Sequence, residues 1–458
     1  MDKLYCGFAQ AVITPEPRTV FMDGYGFRTT PAEGVRDDLY AKVCAIKSGE
    51  DEFVLIALDI CGFDNRLRDC LRGWIRTCTN LKEHQFSLSA THTHAGPACG
   101  ILKDLPVNHI YWDNVGRLVA KTVEQARANR VAGEFRFAFG DELTLAYNRR
   151  GKGHIDRRVT ACGFFGEDDA LVGVITKANC HAVCNKDMNL SADYPAILTQ
   201  EAAKKYPGVP FLFLQGYGAD INPLETPGRK MVSYDELGRD LTKCVFAAMD
   251  KMTDKGIGEG VIASQIKDVF APMTYPTAEE VVDTERIWLK ILNETEAIQP
   301  QTADTELRCR VAKVFIAWNR RIMNKLQKGI PAGVESTIQM ATIGKDAAFV
   351  FIPFELLTLT GLAIEKILTG YGLSPEKCFI LGYSNGTNGY LAPAVDCGKY
   401  SYETVDSVCW YDTALCTPET EAVVLKTVEE FAKAIEETGN EIGYYIFDYR
   451  NLWVNGRP

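Results

Sequence analysis

Ser89-Ala90-Thr91-His92-Thr93-His94-Ala95-Gly96-Pro97 follows a short apolar strand read over residues 84–90 and runs into a Gly/Pro turn. Side chains in extended chain repeat every two residues, so the two imidazoles are expected to project to the same side of a strand end. Histidine is scarce here, six in 458 residues, which makes the placement of two of them together informative. A pair of imidazoles at a strand end is a common beginning of a metal site, and it is equally the way two histidines cap a loop by hydrogen bonding. The residues alone leave both readings open.

Working outward, the flanks alternate strands with helices. Strands are predicted at 7–14, 39–47 and 53–59, the last two joined by Ser48-Gly49-Glu50-Asp51, which has hairpin chemistry. Apolar residues recur at helical spacing over 64–77 and 112–130. A second hairpin is expected from 159–165 and 171–178, then a helix over 195–206 and a buried strand over 211–215. Strands return at 336–342, 347–352 and 378–382, with helices at 357–368 and 418–437. The fold class expected is α/β: a mixed central β-sheet flanked by helices. Between 277 and 328 two strongly charged helical patterns run together, and they read as a solvated helical hairpin inserted into this body. The Gly-, Asn- and Tyr-rich stretch 383–416 is a long loop, and long loops within compact domains are usually functional.

Composition narrows the partners. Sixty acidic against fifty basic residues give a formal charge of −10, with no dense Lys/Arg stripe, so no nucleic-acid partner is expected. No run approaches the ~18–20 apolar residues of a membrane span, and no basic-then-apolar leader opens the chain, so a cytoplasmic location without an integral membrane segment is expected. Fifteen scattered cysteines fit reduced, buried thiols better than a disulfide framework. Cys180 and Cys184 flank His181, but the companion Cys/His pair of a zinc knuckle is missing and packing is their expected role.

Two further candidates stand at strand ends. His181 follows the strand over 171–178, and alone it reads as readily as a satisfied core histidine. Glu355 follows the strand over 347–352 in Pro353-Phe354-Glu355, where a carboxylate can be a ligand, a base or a charge at a helix start. Open α/β sheets build their sites at the carboxyl ends of strands, which is where these positions fall.

Thr91-His92-Thr93-His94-Ala95-Gly96-Pro97 resembles the HTHSGP segment of the neutral, non-lysosomal ceramidases. Other segments of that family's catalytic domain recur in order: Gly7 to Pro15 at the start, Asn148-Arg149-Arg150, the loop from Gln215 to Pro223, Pro353-Phe354-Glu355, and Gly382-Tyr383-Ser384-Asn385 with Tyr390 and then Tyr402-Glu403. The resemblance implies a single ceramidase-like catalytic domain over 1–458, with the helical insertion at about 277–328 and without the family's C-terminal immunoglobulin-like domain. It implies one Zn²⁺ held by His92, His181, Glu355 and Tyr390, with His94, Arg149 and Tyr402 meeting the scissile amide. Asp220 is expected to orient His94 or its own loop, although an acidic residue in a Gly-rich turn also makes local bonds.

The implied activity is hydrolysis of an amide (N-acyl) bond by water that the zinc activates, on a small-molecule N-acyl substrate. An ester or other bond, or a non-catalytic small-molecule binding protein of the same fold, are the competing readings. One departure matters: the family's loop serine falls at Asn222, so no mechanism with that serine as nucleophile or proton donor applies here.

Overall fold

The computed structural model describes residues 2–151, 153–225 and 231–438; the stretch 439–458 of the expected domain lies outside the described residues. The mixed α/β architecture with flanking helices is as expected, and its longer strands form two packed sheets beside three two-stranded ribbons. The larger sheet contains β1 (Leu4–Val12), β2 (Tyr40–Ser48), β3 (Asp51–Leu58), β4 (Phe86–Ala90), β5 (Val131–Glu142), β6 (Arg158–Gly166), β7 (Leu171–Ala178) and β8 (Phe211–Gln215), in the order β8-β7-β6-β5-β1-β2-β3-β4. The smaller sheet contains β9 (Ile262–Thr274), β10 (Gly333–Ile343), β11 (Ala347–Phe351), β12 (Cys378–Leu381) and β13 (Leu415–Cys416), in the order β12-β11-β10-β9-β13.

Alternation builds the layers. In β3, Phe53, Leu55 and Ala57 turn inward to meet Phe349, Phe351, Phe379 and Leu381 of the smaller sheet, and together they form the dry layer between the sheets. Val54, Ile56 and Leu58 of the same strand turn outward and are covered by α1 (Asn65–Thr79) and α2 (His109–Ala128). A strand apolar on both faces is the signature of a sheet buried on both sides. The helices α3 (Tyr194–Lys205) and α4 (Tyr234–Met249) cover the other half of the large sheet. The outer face of the small sheet packs on α7 (Thr358–Gly370) and α8 (Pro418–Thr438).

Within these two sheets three pairs are parallel: β3 with β4, β7 with β8 and β11 with β12. The carboxyl ends of each pair therefore emerge together, and the two sheets are stitched at that edge. Ala90 N donates to Tyr383 O at 3.0 Å, Asn385 N to Leu88 O at 2.8 Å, and the Ser89 and Ser384 hydroxyls meet at 2.9 Å.

β5 and β9, 12 and 13 residues long, were not among the strands read from the sequence. β5 alternates Phe135, Phe137 and Phe139 with Glu134 and Arg136, a period-2 signal beside the predicted helix over 112–130. β9 carries Lys267, Asp268 and Pro272 and is largely half-exposed, so hydrophobicity does not mark it. α4 was also missed, although Ser233 and Glu236 form the capping box that announces it.

The inserted helices are α5 (Ala278–Glu296) and α6 (Ala303–Gln327). Their outer surface is solvated as expected, but the inner face is not: Val281, Phe315, Trp318 and Ile322 bury a core of their own with Val408 and Cys409.

Phe351 lies at the centre of the inter-sheet layer with no exposed surface. Phe351→Ala is expected to lower unfolding free energy by about 3–5 kcal/mol, through lost transfer energy and the cavity left behind. Ile287→Ser, on the solvated side of α5 at 57% exposure, should stay within about 0.5 kcal/mol. Denaturant midpoints compare the two, and equal losses would contradict this layering.

Candidate metal centre

Three segments deliver the centre. The chain leaving β4 turns at His92, whose φ of 62° is a left-handed conformation that a side chain rarely adopts. Thr93 then bridges to Ala182, which fixes the loop carrying His92 and His94 beside the loop that carries His181. Glu355 comes from the other sheet. It pairs in parallel with Tyr390, as Leu356 does with Leu391, so the loop after β11 and the long loop after β12 meet in two short strands.

His92, His181 and Glu355 are buried and converge. Their ligating atoms lie within 4.8 Å of one another. Glu355 Oε2 stands 3.5 Å from His92 Nε2 and 3.3 Å from His181 Nε2. Each imidazole is oriented from behind: His92 Nδ1 lies 2.6 Å from Cys61 O, and His181 Nδ1 lies 2.8 Å from Gly218 O. A carbonyl oxygen only accepts, so each Nδ1 carries a proton, and it is Nε2 of each ring that faces Glu355.

The consequence is an electrostatic deficit. Burial holds the His92 imidazole down at about 4, against the attraction of Glu355, so the ring is neutral near pH 7. Burial alone would raise the Glu355 carboxyl, but His92, His181 and Tyr411 outweigh it and hold it at about 2. The carboxylate and the two imidazole Nε2 atoms thus crowd together in a dry cavity, and neither His181 Nε2 nor Glu355 Oε2 has a partner of good hydrogen-bond geometry. Two imidazole nitrogens and a carboxylate oxygen so placed form a donor set that a divalent cation would fit.

The remaining expected residues lie around this core. His94 Nε2 is 3.1 Å from His92 Nε2, and the rings meet edge to face with centroids 4.7 Å apart. Because His92 is not extended, this closeness comes from the loop fold and not from strand alternation. Gly24, at φ 96°, lies so close to His94 that a Cβ there would fall 2.4 Å from the imidazole, so only glycine admits this ring position.

Arg149 donates to Glu403 Oε1 at 2.9 Å, to Tyr390 Oη at 3.1 Å and to Asn222 Oδ1 at 3.4 Å. Its guanidinium is 5.4 Å from the Tyr402 ring centre, and Tyr402, 45% exposed, stands at the outer side of the cluster. Asp220 bonds its own surroundings: Oδ1 accepts from Thr358 N at 2.9 Å and from its hydroxyl at 2.7 Å, and Oδ2 accepts from Asn148 Nδ2 at 2.9 Å. Its backbone oxygen holds Arg149 N at 2.9 Å, so of the two expectations for Asp220 its bonds serve the loop.

Three contacts escaped the sequence reading. Tyr383 stacks on His92 with centroids 4.1 Å apart. Tyr411 donates its hydroxyl to Glu355 Oε1. Cys61 Sγ, 3.8 Å from His92 Nδ1, joins His92 and His94 in a second potential ligand group. The concentration of tyrosines over 383–411 was the available signal, but periodicity assigns no contact within a loop.

No protein-family model matches the sequence, and no curated protein matches it either. Among solved structures, the neutral ceramidase from Pseudomonas aeruginosa superposes with a TM-score of 0.73 at 17% identity, covering 97% of this chain and 76% of that one. A structure titled as a ceramidase complexed with C2 gives 0.74 at 16% identity, covering 97% and 77%. The fold of this chain is that of these ceramidase structures.

The convergence generates a direct expectation. Dialysed protein should retain about one divalent cation per chain, and His92→Ala or His181→Ala should lose it, because either change leaves an incomplete ligand set. Elemental analysis decides; full occupancy in both variants would dismiss the centre.

Proposed function

We propose that this chain hydrolyses the amide bond of an N-acyl compound, with a zinc ion held by His92, His181, Glu355 and Tyr390. The observation that carries this reading is the meeting of His181 Nε2 and Glu355 Oε2, buried, without a partner of good hydrogen-bond geometry and 3.3 Å apart, beside His92 Nε2. The fold shared with neutral ceramidase structures supports the choice of an amide.

An amide resists water because its carbonyl is weakly electrophilic and its amine leaves poorly. Zinc at this position supplies Lewis acidity, polarising a carbonyl and making water acidic enough to serve as nucleophile near neutral pH. The protein's own groups supply the rest. Arg149 and Tyr402 stand beside Tyr390 and donate hydrogen bonds to the oxygen on which negative charge develops. Glu403 accepts from Arg149 and keeps the guanidinium aimed, and Asp220 fixes the backbone behind it. His94 is the proton carrier. Burial, with His92 and His181 adding to it, holds its imidazole well below the usual histidine range, so the ring is neutral, and the role proposed for it is to relay a proton from water to the leaving nitrogen. Asn222 bonds Arg149, and the role assigned to it is polar support of that guanidinium.

The substrate proposed is smaller or more soluble than a bilayer lipid. Among the described residues no helix is long and apolar enough to cross a membrane, and the net charge of −10 opposes docking on an anionic bilayer surface.

Two measurements test the reading. His94→Ala should keep zinc while turnover falls by roughly 10²–10⁴-fold, the usual contribution of a positioned proton-transfer group. Loss of zinc with turnover would make His94 a ligand instead. Second, long-chain ceramide in detergent and short N-acyl amines should be compared under identical conditions, with the short compounds turned over at least as fast. A strong preference for ceramide would assign the lipid as substrate, and no amide turnover by zinc-loaded protein would reject the proposed reaction.

A further inference from the structure

The loop that carries Tyr411 owes its position to the inserted hairpin. Residues Val408–Tyr411 form one helical turn, closed at Asp412 in a left-handed conformation with φ 53°. Val408 and Cys409 are buried against Phe315, Trp318 and Ile322 of the hairpin core. Two polar ties secure the next residues: Trp318 Nε1 donates to Thr413 O at 2.9 Å, and Arg321 Nε to Asp412 Oδ1 at 2.6 Å. Trp410, between them, lies against Gly26 so closely that a Cβ there would meet the indole at 3.0 Å. Arg310 of α6 secures the segment beneath Trp410, donating from Nη1 to Gly26 O and Arg28 O while Nε and Nη2 hold Asp104 at 2.6 and 3.0 Å. The helical turn is therefore gripped on both sides, and its last side chain points at the metal centre.

The Glu355 carboxylate divides its two oxygens. Oε1 accepts the Tyr411 hydroxyl, and Oε2 is left without a partner facing His92 and His181. A carboxylate with both oxygens free turns about its last torsion and can offer a cation one oxygen or two. A phenol donor on one oxygen fixes the plane and leaves a single, aimed lone pair. Groups that orient a metal ligand in this way typically contribute 10–100-fold in affinity.

We propose that Tyr411 is a positioning residue that sets the Glu355 carboxylate for the cation, and that the α5–α6 hairpin serves the centre by holding Tyr411 in place. The inference rests on the metal reading of His92, His181 and Glu355, and it gives the insertion a purpose that its charged sequence does not express.

The test measures zinc affinity of the full-length protein by competition with a chromophoric chelator, alongside the melting temperature of the metal-free form. Tyr411→Phe deletes one oxygen and keeps the ring. It should weaken zinc binding by about 10–100-fold while the metal-free melting temperature stays within a few degrees of the parent. Asp412→Asn, which weakens the tie to Arg321 without touching Glu355, should shift affinity in the same direction by less. Affinity of Tyr411→Phe within about twofold of the parent would overturn the proposal. So would a fall in metal-free stability large enough to account for the lost affinity, because the phenol would then serve packing. Absence of zinc binding by the parent protein would instead remove the metal reading itself, so the two failures are distinct.

Discussion

A buried carboxylate crowded by two imidazole nitrogens is the constraint around which this structure is arranged. Glu355 is ionised and wholly inaccessible, and the carbonyls of Cys61 and Gly218 force the two histidines to turn their basic nitrogens toward it. Left unmatched, such a grouping costs several kcal/mol. The protein nevertheless invests heavily in it: a left-handed backbone at His92, a glycine at position 24 that yields space to an imidazole, and a tyrosine stacked on the ring plane. Of these, the His92 backbone is strained, and strain of this kind persists only where the surrounding structure holds it.

The architecture follows from that requirement. Neither sheet holds the whole cluster, since His92 and His181 leave the larger one and Glu355 leaves the smaller. The parallel pairs bring strand ends out along one edge, and the backbone bonds between 88–90 and 383–385 lock those ends together. Phenylalanines and leucines across the interior layer set the separation of the sheets and, through it, the span between carboxylate and imidazoles.

How far the sequence disclosed this depended on which physical signal each feature leaves. Strands buried on both faces and helices of regular apolar period were legible, because burial writes itself as periodicity. β9 was not, since a strand facing solvent and helices in patches alternates weakly. His92 and His94 stood out through scarcity and spacing; His181 and Glu355 became notable only through resemblance, being single residues at strand ends. The tyrosine-rich run over 383–411 was legible but the contacts of Tyr383 and Tyr411 were not, because their partners are set by how a long loop folds back. The hairpin misled in one respect: charge on its outer helix faces is visible in sequence, while Phe315 and Trp318 facing a distant loop are not.

The stitched edge between the sheets has a further meaning for how the chain matures. Residues 92, 181, 355 and 390 come together only after both sheets have formed and docked, so no fragment ending before β11 contains the cluster. Contacts of such large sequence separation close late, since the chain must first give up the entropy of long loops. A cation recognising the finished cluster stabilises the docked state and neither half alone.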